Sequence, residues 1–216
     1  MPLTPESLSA LRQEYSQRGL TRAELHPDPL VQFQTWLAEA QACGILEPNA
    51  MTLSTVDAEG QVWSRIVLLK ACDVRGFAFF TSYEGFKAGH MKACPRVALT
   101  FWWGALERQV NVTGRVSRTP REESLRYFAS RPRTSQLGAC ASRQSARLAN
   151  RAELEERYRR VEAEFSGEEV PCPEEWGGYV VDPQSIEFWQ GRRSRLHDRF
   201  RFTRLDSGWR LERLAP

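Results

Sequence analysis

The chain has 216 residues, 41% of them hydrophobic and 26% charged, with a formal net charge of +3; this is ordinary composition for a globular chain that buries a core without staples. No apolar run is long enough to span a bilayer, and the opening MPLTPESLSALRQEY is polar and carries acid, so neither a membrane span nor a secretory leader is expected. The five cysteines, at 43, 72, 94, 140 and 172, include no C-x-x-C pair, which argues against a zinc site or a disulfide framework and sets a reducing, cytoplasmic location as the expectation.

Thr4-Pro5-Glu6 reads as a helix start with Thr4 as cap, and Asp28-Pro29 as a second. After Pro29, Leu30, Phe33, Trp36, Leu37 and Ala40 recur at helical spacing and Gly44 stops the helix. The period then changes to two. Strands are predicted at 50–57, 62–70, 76–82, 96–104 and 107–118, with turns at Ala58-Glu59-Gly60, Asp73-Val74-Arg75 and Gly104-Ala105-Leu106, and a short helix over 84–94. Strands this close in sequence leave no room for helical crossovers, so the sheet is mainly antiparallel. Thr119-Pro120-Arg121-Glu122 reads as a capping box opening a helix through Phe128. Residues 151–166 form an amphipathic helix with the stripe Leu154, Tyr158, Val161 and Phe165, ended by Gly167. Strands at 178–182, 185–191, 198–204 and 208–213 close the chain, the last pair turning at Asp206-Ser207-Gly208. The fold class is mainly β with flanking helices, an antiparallel barrel whose closure protects its edges.

No G-x-G-x-x-G, Walker loop or G-x-S-x-G elbow is present. With only His26, His90 and His197, no metal site is expected. Four patches remain. Arg65 and Lys70 share RIVLLK, and a regular strand would point them to opposite faces. Gln109 sits in ERQVNV, where an amide can both donate to and accept from a polar ring edge. Tyr127 to Ser145 crowds Arg131, Arg133, Ser135, Arg143, Gln144 and Ser145 into a stretch with few acids, the donor set a phosphate dianion needs. FWQGRRSRLHDRF at 188–200 joins Arg192, Arg193, Arg195, His197, Asp198 and Arg199 to Phe188 and Trp189, which suits an anionic ligand with a flat ring. Each patch also reads as a solvated basic surface, and together they suit two phosphate-bearing ligands or single-stranded nucleic acid. The near balance of acids and bases speaks against nucleic acid.

In order, LRQEY, RIVLLK, ERQV, YFASRPRTSQLGA, SRQS, WGGY, EFWQG, RLHDR and the terminal RLAP resemble the pyridoxamine 5'-phosphate oxidase family. The resemblance implies an FMN-binding split β-barrel over 1–216, with a helical segment over about 1–45 and a dimerisation and substrate-site region over about 172–216. It implies a cytoplasmic homodimer with FMN at the subunit interface, oxidising pyridoxamine or pyridoxine 5'-phosphate with O2, and neither a nucleic-acid nor a membrane partner. For FMN it implies Arg65, Ile66, Val67, Leu68, Leu69 and Lys70, the pair Phe80 and Thr81, Lys87, Gln109, Gln144, Ser145, Trp189 and Arg199. For the substrate phosphate it implies Lys70, Tyr127, Arg131 and Ser135. Arg195, Leu196 and His197 are implied at the substrate ring, with Arg195 and His197 catalytic, and Arg12, Gln13, Glu14 and Tyr15 as a covering segment. One position departs: the family usually shows Ser-Arg-Lys where this chain has Gly85-Phe86-Lys87. Losing a charge-assisted hydrogen bond costs roughly 1.5–3 kcal/mol, so FMN affinity lowered by about one to two orders of magnitude is expected. A related oxidase of an unphosphorylated ring (phenazine-type) and a non-catalytic binder of FMN or pyridoxal phosphate stand as alternatives.

Overall fold

The computed structural model describes residues 5–11 and 14–216. The expected cap Thr4 and the expected substrate residues Arg12 and Gln13 lie outside the described residues. The described chain runs α1 (Pro5–Ala10), α2 (Pro29–Ala42), β1 (Ala50–Val56), β2 (Val62–Leu68), β3 (Ala71–Asp73) and β4 (Gly76–Ser82). It continues through α3 (Phe86–Ala93), β5 (Arg96–Trp103), β6 (Arg108–Arg118), α4 (Arg121–Ser130), α5 (Arg133–Ala141) and α6 (Arg151–Glu164). It ends with β7 (Trp176–Gln190), β8 (Asp198–Arg204) and β9 (Trp209–Leu214). These elements form two compact units. One comprises Met1–Pro48, Thr100–Val112 and Ser185–Pro216, and the other Asn49–Leu99 and Thr113–Gln184. No helix among the described residues is long and apolar enough to cross a membrane.

In the first unit α2 forms as its sequence requires. The Asp28 carboxylate accepts from the Leu30 N–H at 2.8 Å, Pro29 supplies the preset φ of the first turn, and Gly44 leaves the helix at φ +70°. The buried stripe of Phe33, Trp36 and Ala40 packs on the strand aromatics. Phe33 lies 4.8 Å from Phe101, Trp36 lies 5.1 Å from Phe188, and Phe188 lies 5.8 Å from Phe202, ring centre to ring centre. β7, β8 and β9 pair antiparallel, with Trp189 opposite Arg199.

The strand order of the sheet is β2-β1-β5-β6-β7-β4-β3, and the core of the second unit holds Met51, Leu53, Phe77, Phe79, Leu99 and Val181. A satellite cluster of Phe128, Leu137, Val170 and Trp176 receives Tyr158, Val161 and Phe165 from the predicted stripe of α6.

The structure corrects three expectations. The two strands expected at 178–182 and 185–191 are one, β7. Its Trp176–Val181 part pairs with β4 and its Ser185–Gln190 part with β8. Pro183 falls between the two ladders, where its missing donor interrupts neither. The strand expected through Lys70 ends at Leu68. Leu69 N–H donates to Asn49 O at 2.9 Å, but Lys70 N–H donates to Ala78 O at 2.8 Å, so the chain changes partner strand between them. The Thr119 cap does not form. Thr119 N–H donates to Gly178 O at 3.0 Å and the residue is buried, so β7 claims it and Pro120 becomes the cap of α4. Within the basic stretch after Tyr127, Pro132 opens α5.

Gly114 sets how closely two strands approach. A Cβ there would lie 2.2 Å from Asp182 O and 3.0 Å from Val181 Cγ1. Gly114→Ala should therefore cost about 1–3 kcal/mol, lowering Tm by roughly 2–4 °C per kcal/mol. Gly89→Ala on α3, where a Cβ meets nothing within 4 Å, should leave Tm unchanged or raise it. Calorimetry of the two variants checks this.

Candidate functional site

The change of partner at Leu69 determines the first site. An unbroken strand would turn Arg65 and Lys70 to opposite faces; instead both line one cavity of about 500 Å³ in the second unit. Ile66, Val67 and Leu68 line it too, whereas the Leu69 side chain is buried elsewhere, at 5% exposure. Arg65 stands opposite Leu53 in the β1–β2 ladder. Its Nη1 donates to Leu53 O at 3.1 Å and to Thr55 Oγ1 at 2.7 Å. Thr55 Oγ1 lies 3.1 Å from His90 Nδ1 on α3. Burial holds the Arg65 pKa below its ordinary value.

Lys87 enters the same cavity from the first turn of α3. Its Nζ donates to Thr81 Oγ1 at 3.0 Å and to Gln144 Oε1 at 2.5 Å, and Thr81 Oγ1 itself donates to Gln144 Oε1 at 2.9 Å. Both partners of the ammonium are neutral. Burial first, and the neighbouring Arg65 second, push the Lys87 pKa down to about 8. Gln144 fits because residue 85 is glycine: a Cβ there would come within 2.6 Å of Gln144 Oε1. Ser145 follows at φ +71° and accepts the Phe86 N–H at 3.3 Å. The Phe86 side chain is 68% exposed and does not line the cavity.

An aromatic wall bounds the other end. Phe80 and Tyr127 stack at 4.1 Å, and Trp176 stacks on Phe80 at 5.6 Å. Lys70 Nζ lies 5.9 Å from the Tyr127 ring centre. Arg131, at the junction of α4 and α5, lays its guanidinium 4.7 Å from the Trp176 ring centre. Its Nη1 is buried with no hydrogen-bond partner, and burial lowers its pKa. A buried donor held without an acceptor is costly, and an anion in the cavity would satisfy it. Ser135 lies in the first turn of α5 and lines the cavity; its N–H donates to Pro132 O at 2.8 Å, and the positive end of the helix dipole favours negative charge there. Arg65, Lys70, Lys87 and Arg131 thus share a cavity with no carboxylate among its lining residues. This donor set suits phosphate groups.

The second site lies in the first unit. Tyr15, Trp189 and His197 form a three-ring cluster: Tyr15 meets Trp189 edge-on at 5.6 Å and His197 at 5.5 Å, and Trp189 and His197 lie 4.6 Å apart. With Glu14 and Arg195, Tyr15 and His197 line a cavity of about 750 Å³. His197 Nδ1 accepts the Arg192 N–H at 3.1 Å, which places the proton of the neutral ring on Nε2. Burial first, then the Arg195 cation, lower the His197 pKa, and Asp198 opposes them. Ser194 and Arg195 both have left-handed φ, +57° and +62°, strain that the surrounding contacts must hold. Leu196 is exposed and Gln109 half-buried. Arg199 is committed to Glu187, at 2.9 Å, and to Ala215 O, at 2.9 Å.

Several residues here carry no sequence signal of their own role: Thr55, His90, Gly85 and the 5%-exposed Asp198, which accepts from Leu20 N–H and Arg192 Nη1, each at 3.0 Å. Trp176 had a signal, in WGGY, without an assigned task.

A family profile described as pyridoxamine 5'-phosphate oxidase matches residues 37–165. A second, described as the pyridoxine 5'-phosphate oxidase C-terminal dimerisation region, matches residues 176–216. The pyridoxine/pyridoxamine 5'-phosphate oxidase of Rubrobacter xylanophilus is 53% identical over 209 residues, covering 97% of this chain and 96% of its own. That of Burkholderia thailandensis is 52% identical over 213 residues, covering 97% and 99%. Among solved structures, PhzG from Burkholderia lata in complex with tetrahydrophenazine-1-carboxylic acid superimposes with a TM-score of 0.86 at 26% identity, covering 91% of this chain and 98% of that one. A pyridoxamine 5'-phosphate oxidase-related, FMN-binding protein from Nostoc punctiforme shares the fold, with a TM-score of 0.69 at 13% identity over 85% of this chain and 97% of its own. The antiparallel architecture is therefore the split barrel of these proteins.

Lys87 gives the first site a pH signature. Its ammonium is present below about pH 8 and is lost in the free protein as pH rises through that value. A phosphate dianion raises the lysine's pKa on binding, so above pH 8 binding must take up a proton. FMN titrated by fluorescence quenching should show a Kd rising about tenfold per pH unit between roughly pH 8 and 9.5, and Lys87→Met should bind more weakly with no such slope.

Proposed function

The chain belongs to the pyridoxamine 5'-phosphate oxidase family, and from that premise we propose that it oxidises pyridoxamine or pyridoxine 5'-phosphate to pyridoxal 5'-phosphate with FMN and O2. The alcohol substrate and O2 yield the aldehyde and hydrogen peroxide; the amine takes up one water in addition and releases ammonia. The unsatisfied, buried Nη1 of Arg131 carries this reading. It asks for an anion beside a stacked aromatic wall, and with Lys70 and Ser135 in the same cavity the donors suit the three oxygens of a phosphate dianion better than the single carboxylate of a phenazine-type ring.

When bound, FMN would supply the two-electron acceptor for the substrate carbon, with O2 as the final oxidant. The residues of this chain bind and orient. In this reading Arg65 and Lys87, with Thr81, Gln144 and Ser145, hold the flavin phosphate, and β2 from Ile66 to Leu68 borders the flavin. Lys70, Tyr127, Arg131 and Ser135 hold the substrate phosphate, spending its binding energy on orientation. Gln109, Trp189 and Arg199 are assigned to the flavin as well. The paired state of Arg199 suits a fixed positioning group. His197, with its proton on Nε2, donates to an oxygen of the substrate ring, and Arg195 supplies the cation beside it. Because Nδ1 is occupied by the Arg192 N–H, the imidazole holds the ring in this tautomer and does not take its proton. The match to a dimerisation region over 176–216 supports a homodimer, and a cytoplasmic location is part of the same reading.

Aerobic turnover tests the reading. Purified protein with excess FMN and pyridoxine 5'-phosphate should form pyridoxal 5'-phosphate and hydrogen peroxide one for one; bound flavin without turnover would contradict the assignment. Arg131→Ala should raise KM about 10- to 100-fold, the equivalent of a lost charge-assisted bond. An unchanged KM would remove Arg131 from the phosphate site.

A further inference from the structure

Glu107 is held in a conformation and a set of contacts that the proposed reaction leaves unused. It follows the short 3-10 turn at 104–106 with φ +52° and ψ +40°, the left-handed region where glycine or asparagine is the ordinary occupant. A strained backbone at a polar residue invites the question of what its side chain holds. The backbone of Glu107 is tied to the end of β7: its carbonyl accepts Gly191 N–H at 2.7 Å and Gln190 Nε2 at 3.2 Å. Its carboxylate accepts the Ser16 N–H at 2.9 and 3.0 Å, one distance to each oxygen, and the Gln17 N–H at 3.0 Å. Bonds from backbone N–H to a carboxylate are the stronger, charge-assisted kind.

Residues 14–20 have no helix or strand pairing of their own, so this strap depends on such ties. Beyond Glu107, they are the exposed Arg18–Glu24 ion pair and the Leu20 N–H bond to Asp198. Tyr15, next to the Glu107 anchor, is the residue that packs edge-on against Trp189 and His197. Residue 191 must be glycine for this packing, because a Cβ there would lie 2.9 Å from Tyr15 Cγ and 3.0 Å from Glu107 Cβ.

We propose that Glu107 is a positioning residue: by pinning Ser16 and Gln17 it holds the Tyr15 ring against His197 and Trp189 and thereby sets the burial of the imidazole. The proposal rests on the oxidase reading only for what His197 is for; the placement itself stands apart from it. Besides Tyr15, the charged groups around His197 are Arg195, Asp198, Arg192 and Glu14.

The test follows His197 in the full chain by NMR of histidine-labelled protein. Only three histidines are present, and His197→Asn assigns the resonance. In Glu107→Ala the strap loosens, His197 gains water, and its titration midpoint should move up toward the ordinary histidine value. Tryptic cleavage after Arg18 should become at least about tenfold faster, as expected when local opening becomes easier. Glu107→Gln, which keeps one carbonyl acceptor, should fall between. A folded Glu107→Ala with the parent midpoint overturns the proposal whatever the cleavage rate. If the alanine variant does not fold, parent values of both readouts in Glu107→Gln overturn it. Neither readout needs substrate, so failure of the oxidase reading would leave this result intact.

Discussion

Four cations, Arg65, Lys70, Lys87 and Arg131, face one cavity whose lining holds no carboxylate, and much of the second unit is arranged around that imbalance. Like charges brought together and partly buried destabilise a fold unless something offsets them. Here the offset inside the protein is incomplete. Arg65 and Lys87 are solvated by neutral oxygens, from Leu53, Thr55, Thr81 and Gln144. Arg131 rests on the face of Trp176, with one nitrogen left unsatisfied. The low pKa of Lys87 has the same origin. Such a site suits phosphate: the donors are already placed, so ordering them would cost an arriving dianion little.

The backbone supplies the placement. The switch of partner between Leu69 and Lys70 brings two cations of one hexapeptide to a single cavity. Pro132 starts α5 one residue after Arg131, so a helix N-terminus and a guanidinium serve the same end of it. In the first unit the analogous constraint is the strap. Glu107 and Asp198 accept its backbone N–H groups, and the ring cluster of Tyr15, Trp189 and His197 is assembled where that strap passes. The two units solve different problems. One holds charge without acids; the other fixes the tautomer and surroundings of a single histidine.

Much of this was legible in the sequence, for reasons that can be named. The start of α2 was legible because Asp28-Pro29 encodes a cap and a first turn in adjacent residues, and the stripe of α6 because helical period survives packing. The lining residues Arg65, Lys87, Tyr127, Arg131, Ser135 and Gln144 were reached through ordered motifs shared with a family, since no single spacing identified them. What escaped was what depends on long-range pairing. The fate of Pro183 depends on which ladder it falls between, and the side of Lys70 on a partner 8 residues on, at Ala78. Thr119 carries a cap signature that β7 overrides, a tertiary contact outweighing a local preference. Glu107 looks like an ordinary surface acid beside a turn; only the positions of Ser16 and Gln17 show what it holds.

The central claim is that phosphate, more than the flavin ring, is what the second unit is built to receive. Thermal unfolding at pH 7 with FMN and, separately, with riboflavin tests it most directly, because the two ligands differ only in that phosphate. A ligand at 100 times its Kd stabilises a fold by about 2.7 kcal/mol. The account predicts a clear rise in Tm with FMN and little or none with riboflavin at the same concentration. Equal stabilisation by both would contradict it, and would place the binding energy in the ring and its aromatic surroundings.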